Sequence, residues 1–405
     1  MSQPAPELGL NTLETLQSRF GHSDFRPGQK AVVEAMLAGE DVLAVMPTGA
    51  GKSLCFQLPA FIRPGFAVVV SPLIALMENQ TTLLKDRGLN VGMIHSGRDR
   101  ARNVADWKSA ATGDTKLLYM SPERLMTGRM IAALQKLPVS FFIIDEAHCI
   151  SQWGHNFRSE YLALAGLRDH FPDTPIAAFT ATANEETRRD IADRLFRTNA
   201  QTFVHGFDRP NISLQVIEKD RADRQVAGLV KKRRGQSGIV YCRSRRAVEK
   251  MAEILADAGH DALAYHAGFS GEERAWRLNH FIEKGGVMCA TIAFGMGVDK
   301  PDIRYVIHRD LPSSLEAYYQ EIGRAGRDGE KAEAILLYGY GDLVARRKMI
   351  DSGDSDDAIK RVERRKLDAL VDFCDARACR RTLLLRYFGE NRSRPCGDCD
   401  VCLDR

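Results

Sequence analysis

Residues 42–53 read Val-Leu-Ala-Val-Met-Pro-Thr-Gly-Ala-Gly-Lys-Ser, a short apolar run that changes abruptly into a turn with two glycines. The apolar residues between Asp41 and Pro47 suit a buried parallel strand. Gly49 and Gly51 let the backbone after this strand curl, so that its N–H groups converge on an anion. The stretch therefore predicts a cradle for nucleotide phosphates, at the start of a helix whose positive end faces them.

Two side chains complete this cradle. Lys52 supplies a positive charge, and Ser53 offers a hydroxyl to Mg²⁺. The full pattern G-x-x-x-x-G-K-[ST] asks for a small residue where Met46 stands, so an ordinary turn between a strand and a helix is the alternative. The residues that we expect around the phosphates are Thr48, Gly49, Ala50, Gly51, Lys52 and Ser53.

The chain has 405 residues and a formal net charge of only +4. This length exceeds one ordinary core, so we expect two large domains and a small addition. No apolar run approaches the roughly 20 residues of a membrane-spanning helix. The N-terminus has neither the basic cluster nor the apolar core of a signal peptide. We therefore expect a soluble, cytosolic protein without a membrane partner.

Apolar runs recur after the cradle, and each of them ends in small or polar residues. They cover residues 67–70, 116–120, 141–144 and 176–179, with helical patterns between them. Strands that alternate with helices predict an α/β fold with a parallel sheet. In such sheets, ligands bind outside the carboxyl ends of the strands.

A second set of apolar runs follows the connection at residues 206–211, whose glycine and proline suit a linker. The runs cover residues 238–242, 262–265, 286–290, 304–307 and 334–338. We therefore expect two α/β domains, residues 1–206 and 207–340. Residues 341–405 are helix-like, rich in arginine and end in a group of cysteines, so we expect a small helical subdomain there.

Asp145 and Glu146 follow the very apolar run at residues 141–144. Adjacent carboxylates after such a strand suit ATP hydrolysis beside a phosphate loop. Asp145 would hold Mg²⁺, and Glu146 would orient and deprotonate the attacking water. A solvated acidic pair that caps a helix is the alternative, and the presence of Lys52 favours hydrolysis.

Two arginines, Arg324 and Arg327, lie in the stretch Gln-Glu-Ile-Gly-Arg-Ala-Gly-Arg at residues 320–327. Glycines beside them permit close approach, and such an arginine can stabilise the charge that develops at a γ-phosphate. If the second domain supplies this arginine, hydrolysis depends on domain closure, which is the physical basis of a motor. Solvated arginines at a glycine-broken helix end are the alternative.

A mixture of aromatic and polar residues follows the two carboxylates. Aromatic faces can stack on unpaired bases and an arginine can pair with phosphate, so this loop could couple DNA contact to hydrolysis. Aromatic residues that close a core are the alternative. The candidate DNA contacts are Ser151, Gln152, Trp153, His155, Phe157 and Arg158.

Cysteines crowd at the end of the chain. Cys396, Cys399 and Cys402 have the spacing of metal ligands, and either Cys379 or Cys374 could complete a tetrahedral site. The softness of four thiolates favours zinc. An iron–sulfur cluster is the rival, although the Cys-Pro that usually ends its sequence pattern is absent.

Taken together, these residues resemble the RecQ family of DNA helicases, in helicase superfamily 2, over nearly the whole chain. The family accepts methionine where Met46 stands. The resemblance rests on an adenine-reading segment at 20–29, motif I at 46–53, motif Ia at 71–80, motif II at 145–148, an aromatic-rich loop at 151–158, and motifs III to VI at 180–182, 239–244, 293–297 and 320–329.

The resemblance implies two RecA-like domains that bind ATP and Mg²⁺, followed by a zinc-binding subdomain. It places Phe25, Arg26 and Gln29 at the adenine, where the Gln29 amide can both donate and accept hydrogen bonds. It makes Arg327 the arginine finger. For Zn²⁺ it selects Cys379 together with Cys396, Cys399 and Cys402.

The resemblance also implies 3′-to-5′ translocation on single-stranded DNA and unwinding of tailed or forked duplexes, in recombination and repair at the nucleoid. Many family members continue into a winged-helix domain and a small helical domain, whereas this sequence ends three residues after Cys402. The sequence is therefore either a catalytic core or a naturally short protein.

Two other hypotheses share this fold. One is a translocase or RNA helicase that does not separate DNA strands. The other is a non-catalytic nucleic-acid-binding scaffold, which predicts a missing lysine or damaged carboxylates. The second hypothesis is disfavoured because the residues that carry the chemistry are present: Lys52, Asp145, Glu146 and Arg327. Oligomeric state and protein partners do not follow from the sequence.

Overall fold

The computed structural model of the protein describes residues 8–151, 153–154, 157–197, 200–295 and 300–404, with side chains from Thr12 onward. The chain divides into two compact units, Met1–Gly206 (unit 1) and Phe207–Arg405 (unit 2). Each unit is built on a parallel sheet whose strands are joined by helices. The α/β fold class predicted from the sequence is thereby confirmed.

The strand order in the sheet of unit 1 places the carboxyl ends of three strands side by side. Its strands are β1 (Val42–Val45), β2 (Phe66–Val70), β3 (Val91–Ile94), β4 (Leu117–Met120), β5 (Val139–Ile144), β6 (Ile176–Thr180) and β7 (Gln201–Val204). They lie in the order β3-β4-β2-β5-β6-β1-β7, with parallel neighbours throughout. Only β6 separates β1 from β5. The carboxyl ends of β1, β6 and β5 therefore lie side by side.

The helices of unit 1 connect these strands and bury their apolar residues. They are α1 (Leu8–Phe20), α2 (Gln29–Ala38), α3 (Lys52–Ile62), α4 (Ile74–Asp86), α5 (Arg100–Ala111), α6 (Pro122–Leu125), α7 (Gly128–Leu134), α8 (Ser159–Leu162), α9 (Leu167–His170) and α10 (Glu185–Leu195). The strands β1 to β6 are almost entirely buried, whereas the edge strand β7 is mostly exposed. Continuous burial of parallel strands explains their near-continuous apolar sequences.

Unit 2 repeats this architecture. Its strands are β8 (Ile212–Glu218), β9 (Ser237–Tyr241), β10 (Ala262–Tyr265), β11 (Val287–Ala290), β12 (Ile303–His308) and β13 (Ala332–Tyr338), in the order β10-β11-β9-β12-β13-β8. The neighbours are again parallel. The helices that accompany the sheet are α11 (Ala222–Lys231), α12 (Arg245–Asp257), α13 (Gly271–Lys284) and α14 (Leu315–Ile322).

The end of unit 2 is helical and packs on the edge of its sheet. Its helices are α15 (Tyr340–Ser352), α16 (Asp357–Asp375) and α17 (Arg380–Tyr387). Beyond them, the backbone N–H of Asp400 donates to the carbonyl oxygen of Leu214 at 3.1 Å. The Ser213 hydroxyl donates to the carbonyl oxygen of Asp398 at 2.7 Å. The C-terminal segment thus covers the outer side of β8.

Candidate nucleotide and nucleic-acid sites

The predicted phosphate cradle lies between β1 and α3. Gly49 and Gly51 have φ angles of 87° and 81°, in the left-handed region that favours glycine. A Cβ atom at Gly51 would lie 2.4 Å from Nε2 of Gln29, so a larger residue would collide there. Nζ of Lys52 donates to the carbonyl oxygen of Met46 at 3.3 Å. The lysine therefore folds back over the loop, in front of the helix N-terminus where an anion would bind.

The segment that precedes α2 packs against this cradle. Gln29 is 1% exposed, and its Nε2 donates to the carbonyl oxygen of Ala50 at 3.0 Å. Its Oε1 accepts from the backbone N–H of Arg26 at 2.8 Å, and the Arg26 guanidinium donates to the carbonyl oxygen of Gly49 at 2.6 Å. Phe25 packs on the core of unit 1. Arg26 and Gln29 therefore lie against the phosphate loop, and Phe25 directly precedes them on the core of unit 1.

A chain of hydrogen bonds holds Ser53, the predicted ligand of the divalent cation. The hydroxyl of Tyr119 donates to Oε1 of Gln80 at 2.8 Å, and Nε2 of Gln80 donates to Oγ of Ser53 at 3.1 Å. Nε2 of Gln57 donates to the Tyr119 hydroxyl at 3.3 Å. None of these supporting residues is among the site residues predicted from the sequence. Gln80 falls within the segment that resembles motif Ia, and no sequence pattern marks Tyr119.

The two predicted carboxylates are buried directly after β5. Asp145 and Glu146 are 5% and 8% exposed, and the carboxylate of Asp145 accepts from the backbone N–H of Glu146 at 3.0 Å. Burial and the charge of Glu146 raise the pKa of Asp145 to about 7, while the charge of Lys52 opposes this rise. The alternative of a solvated acidic pair is therefore wrong. A divalent cation would offset this buried negative charge, so the donor set fits Mg²⁺.

His148 links the carboxylates to the end of β6. Glu146 has a φ of 49°, and its Oε2 lies 3.3 Å from Nδ1 of His148. The same ring nitrogen lies 3.0 Å from Oγ1 of Thr180. Burial lowers the pKa of His148, but Cys149 and the Glu146 carboxylate outweigh it and raise the pKa to about 10. The spacing Asp-Glu-Ala-His was the signal that could have identified this residue.

The aromatic loop is attached by its backbone to the carboxylate segment. Ser151 is fully buried, and its Oγ accepts from the backbone N–H of Trp153 at 3.1 Å. Its side chain supports the turn, and the predicted contact of Ser151 with DNA stays a prediction. A Cβ atom at Gly154 would lie 2.0 Å from the carbonyl oxygen of His148. The turn is therefore packed directly against the backbone of the segment that follows Glu146.

The structure describes three of the other predicted DNA contacts of this loop and leaves two outside the described residues. Trp153, Phe157 and Arg158 are partly exposed. The Arg158 guanidinium donates to the carbonyl oxygen of Pro72 at 2.8 Å. Gln152 and His155 lie outside the described residues, as do residues 296–299, which include the end of the segment that resembles motif V.

A cavity of about 130 Å³ lies at the carboxyl ends of β2 and β4. Its lining includes Ser71, Pro72, Ser121, Pro122 and Arg158. The loop arginine therefore reaches the strand ends where ligands of open parallel sheets bind.

The two candidate arginines lie after α14 in unit 2. Arg324 is 4% exposed, so the alternative of a solvated arginine is wrong for this residue. Arg327 is partly exposed. Between them, Gly326 has a φ of 55°, and its backbone N–H donates to the carbonyl oxygen of Ile303 at 2.9 Å. The segment is therefore a fixed turn on the sheet of unit 2.

Four cysteines form a compact cluster at the end of unit 2. The Sγ atoms of Cys379, Cys396, Cys399 and Cys402 all lie within 4.8 Å of one another. Tetrahedral zinc with Zn–S bonds of ~2.3 Å places its sulfurs ~3.8 Å apart. The Sγ atoms of Cys396 and Cys402 are 3.9 Å apart. The cluster therefore fits zinc, and the buried Cys374 is not among its members.

Within the described part of the chain, no helix combines the length and the apolar character needed to span a membrane.

Three family profiles match the chain one after another. They are described as DEAD/DEAH box helicase over residues 26–191, Helicase conserved C-terminal domain over 221–329, and RecQ zinc-binding over 340–403. The first spans strands β1 to β6 of unit 1, the second spans strands β9 to β12 of unit 2, and the third covers the helical end with the cysteine cluster.

Curated relatives match nearly the whole chain. The ATP-dependent DNA helicase RecQ of Haemophilus influenzae is 44% identical over 394 residues, which are 97% of this chain and 63% of that protein. The protein of the same name from Bacillus subtilis is 38% identical over 388 residues, 95% of this chain and 66% of that protein. The chain thus spans somewhat less than two thirds of the length of these relatives.

Solved structures show the same fold at low sequence identity. The helicase MrfA bound to DNA has a TM-score of 0.68 and 18% identity, over 86% of this chain and 51% of that chain. The Mycobacterium smegmatis helicase Lhr, bound to ssDNA and AMP-PNP, has a TM-score of 0.62 and 20% identity, over 93% of this chain and 59% of that one.

The chain has two RecA-like domains, with a phosphate cradle and buried carboxylates in the first, and the family profiles that match these domains place it in the helicase class. The cysteine cluster that follows the two domains lies in the region that matches the RecQ zinc-binding profile. The chain belongs to the RecQ family.

Proposed function

We propose that this chain is the ATP-hydrolysing core of a DNA helicase. The observation that carries the proposal is that Lys52, in the cradle after β1, acts electrostatically on the buried Asp145, which lies beside Glu146 after β5. Only β6 lies between these two strands. Burying two carboxylates beside one lysine is costly for the fold, and such arrangements cluster at functional sites. A scaffold that only binds nucleic acid gains nothing from them.

Each candidate site residue of the phosphate cradle and its surroundings in unit 1 has a proposed role. Backbone N–H groups of residues 48–53 and the ammonium group of Lys52 hold the phosphates, and Gln29 contacts the adenine beside Phe25 and Arg26. Ser53 and Asp145 hold Mg²⁺, which when bound neutralises charge on the phosphoryl oxygens. Glu146 orients the attacking water and accepts its proton. The proposed nucleotide contacts are Phe25, Arg26, Gln29, Thr48, Gly49, Ala50, Gly51, Lys52 and Ser53.

We further propose that unit 2 supplies Arg327 as the arginine finger, with Arg324 as a supporting charge. An arginine aimed at the γ-phosphate stabilises the transition state and accelerates hydrolysis by ~10³- to 10⁵-fold in related chemistry. Because the arginines and the phosphate cradle belong to different units, hydrolysis would require domain closure. Closure and reopening would drive translocation.

DNA is the proposed substrate because relatives that match 95% or more of this chain are named ATP-dependent DNA helicases. We propose 3′-to-5′ movement along single-stranded DNA and unwinding of tailed or forked duplexes in recombination and repair, which would place the protein at the nucleoid. Trp153 and Phe157 would stack on bases, and Arg158 would contact phosphate or hold the loop. Gln152 and His155 remain predicted contacts.

For the helical end of the chain, residues 341–405, we propose a zinc-binding subdomain after two helicase domains at 1–206 and 207–340. The four thiolates of the cluster would bind the ion, and the bound ion would hold residues 396–402 against the start of α17. This subdomain would maintain structure and would take no part in the chemistry.

Strand separation tests the proposed function directly. A duplex with a 3′ single-stranded tail is offered with ATP and Mg²⁺, with a 5′-tailed duplex and an RNA duplex as controls, at one stated salt concentration because phosphate contacts depend on salt. Separation of only the 3′-tailed DNA supports the proposal. Separation of the RNA duplex alone would favour the rival RNA helicase. Absence of DNA-stimulated ATP hydrolysis would refute the enzymatic assignment itself.

A further inference from the structure

The connection at the start of unit 2, residues 207–211, is held by several side-chain and backbone contacts to the rest of that unit. The ring of Phe207 stacks on Phe388, with centroids 4.5 Å apart and an angle of 15° between the ring planes. The backbone carbonyl oxygen of Phe207 accepts from the hydroxyl of Tyr319 at 3.0 Å, and its N–H donates to the Glu390 carboxylate at 2.7 Å. The connection is thus fixed within unit 2 from its first residue.

The next residue ties the connection to the region of the cysteine cluster. The carboxylate of Asp208 accepts from Arg381 at 2.8 Å and from Arg392 at 2.5 Å. Arg381 also donates to the backbone carbonyl oxygens of Arg209 at 2.5 Å and Ile212 at 2.7 Å. These contacts hold the main chain on both sides of Arg209.

The side chain of Arg209 points to the turn that carries the candidate finger. Its guanidinium donates to the carbonyl oxygens of Gly323, Ala325 and Gly326 at 3.4, 3.0 and 2.9 Å. These carbonyl groups lie on either side of Arg324, and that of Gly326 belongs to the peptide bond joining it to Arg327. One planar cation therefore fixes the main chain from which both arginines project.

A second residue of the connection reinforces this contact. Nδ2 of Asn211 donates to the carbonyl oxygens of Gly326 and Glu330, each at 2.9 Å. A Cβ atom at Gly326 would lie 2.4 Å from the same Nδ2 atom. The turn is therefore packed directly against the connection.

We propose that Arg209 is a positioning residue for Arg327, and that it links the connection between the units to the hydrolysis of ATP. The inference rests on the proposed function, in which Arg327 stabilises the transition state. Arg209 lies three residues after the end of unit 1, so a force on the connection reaches the finger segment through its side chain, with Asn211 as a second contact. Arg209 itself touches no nucleotide in this scheme.

ATP hydrolysis by Arg209→Gln, Arg327→Ala and the double variant tests this inference. Displacing a catalytic group by about 1 Å can cost ~100-fold in rate. We therefore expect Arg209→Gln to lower kcat by up to ~100-fold, with the dissociation constant of a fluorescent ATP analogue unchanged. In the Arg327→Ala background, Arg209→Gln should lower kcat no further, because both changes remove the same interaction. Arg209→Lys, which keeps the charge but loses the planar fork, should retain an intermediate rate.

Arg63→Gln is the matched control. Arg63 donates to the carbonyl oxygens of Met36 and Leu37 at the end of α2 in unit 1, at 3.3 and 3.2 Å, so the change removes the same kind of contact away from the finger. This variant should keep its kcat. If Arg209→Gln does not fold, as judged by circular dichroism, Asn211→Ala replaces it, because it removes only one support of the same turn.

The inference is overturned if Arg209→Gln keeps the full kcat, or if its effect multiplies with that of Arg327→Ala in the double variant. A separate result would undermine the function on which it rests. Full hydrolysis by Arg327→Ala would remove the finger assignment, whatever Arg209 does.

Discussion

Arg380 and Asp400 form a buried ion pair that joins the start of α17 to the segment with the last three cysteines, residues 396–402. Arg380→Ala should make local unfolding of this C-terminal region more frequent. Both side chains are 7% exposed, and Nε and Nη2 of Arg380 each lie 3.1 Å from the Asp400 carboxylate. Nη1 of Arg380 donates to the carbonyl oxygen of Cys374 at 3.0 Å. The substitution removes all these contacts together.

The expected loss of local stability follows from the interactions that Asp400 keeps after the substitution. Without Arg380, the buried Asp400 carboxylate keeps the backbone N–H of Val216, at 3.2 Å, as a hydrogen-bond donor but loses its countercharge. Removing one partner of a buried ion pair costs about 3–5 kcal/mol, since the other charge stays buried. At about 1.4 kcal/mol for each factor of ten, the opening equilibrium of this region should rise by roughly a hundredfold to several thousandfold.

Hydrogen exchange measured by mass spectrometry on zinc-loaded protein reports this opening. Peptides that cover residues 373–403 should exchange faster in Arg380→Ala, while peptides from unit 1 should not change. The control is Arg347→Ala, which breaks the 3.1 Å pair with Asp368, whose side chains are 55% and 53% exposed. Exposed pairs contribute about 0–1 kcal/mol, so its effect should be small. Equal exchange in the two variants would refute the reasoning.

Three further changes have simple expected outcomes. Lys52→Ala should abolish ATP turnover measured with single-stranded DNA present, and full activity would refute the phosphate cradle. Trp153→Ala should weaken the stimulation of hydrolysis by single-stranded DNA, and unchanged stimulation would return this residue to core packing. Gly154→Ala should displace the loop, because its Cβ would meet the carbonyl oxygen of His148 at 2.0 Å, and should lower both this stimulation and Tm. Gly128→Ala, where a Cβ meets nothing within 4 Å, should leave both unchanged.

The central strands could be predicted from the sequence because burial on both faces demands apolar residues whatever the surroundings. Edge strands carry no such demand. β7 (Gln201–Val204) is mostly exposed and forms by pairing with β1, so its sequence contains no continuous apolar run. β8 (Ile212–Glu218) alternates between apolar and polar residues, and neither it nor the four-residue β3 was predicted from the sequence.

The site shows the same division between what the sequence can and cannot predict. Lys52 and Asp145 could be predicted because phosphate chemistry requires those side chains at those strand ends. Arg209 could not, because it acts on main-chain carbonyl groups more than 100 positions away in the sequence. Gln80 supports Ser53 through a contact that likewise depends on the folded chain. Residues that position a site residue through hydrogen bonds have no characteristic spacing in the sequence.

The outer side of β8 has a consequence for how the protein behaves in solution. An uncovered edge strand offers unpaired N–H and C=O groups to the strands of other molecules, and proteins commonly cover such edges. Here the covering segment, residues 398–400, lies among the cysteines, so its attachment to Leu214 and Val216 depends on the cluster staying folded. Removal of zinc by a chelator should therefore cause association that increases with protein concentration and is visible by light scattering. The cluster would then protect the protein from aggregation as well as shape its fold.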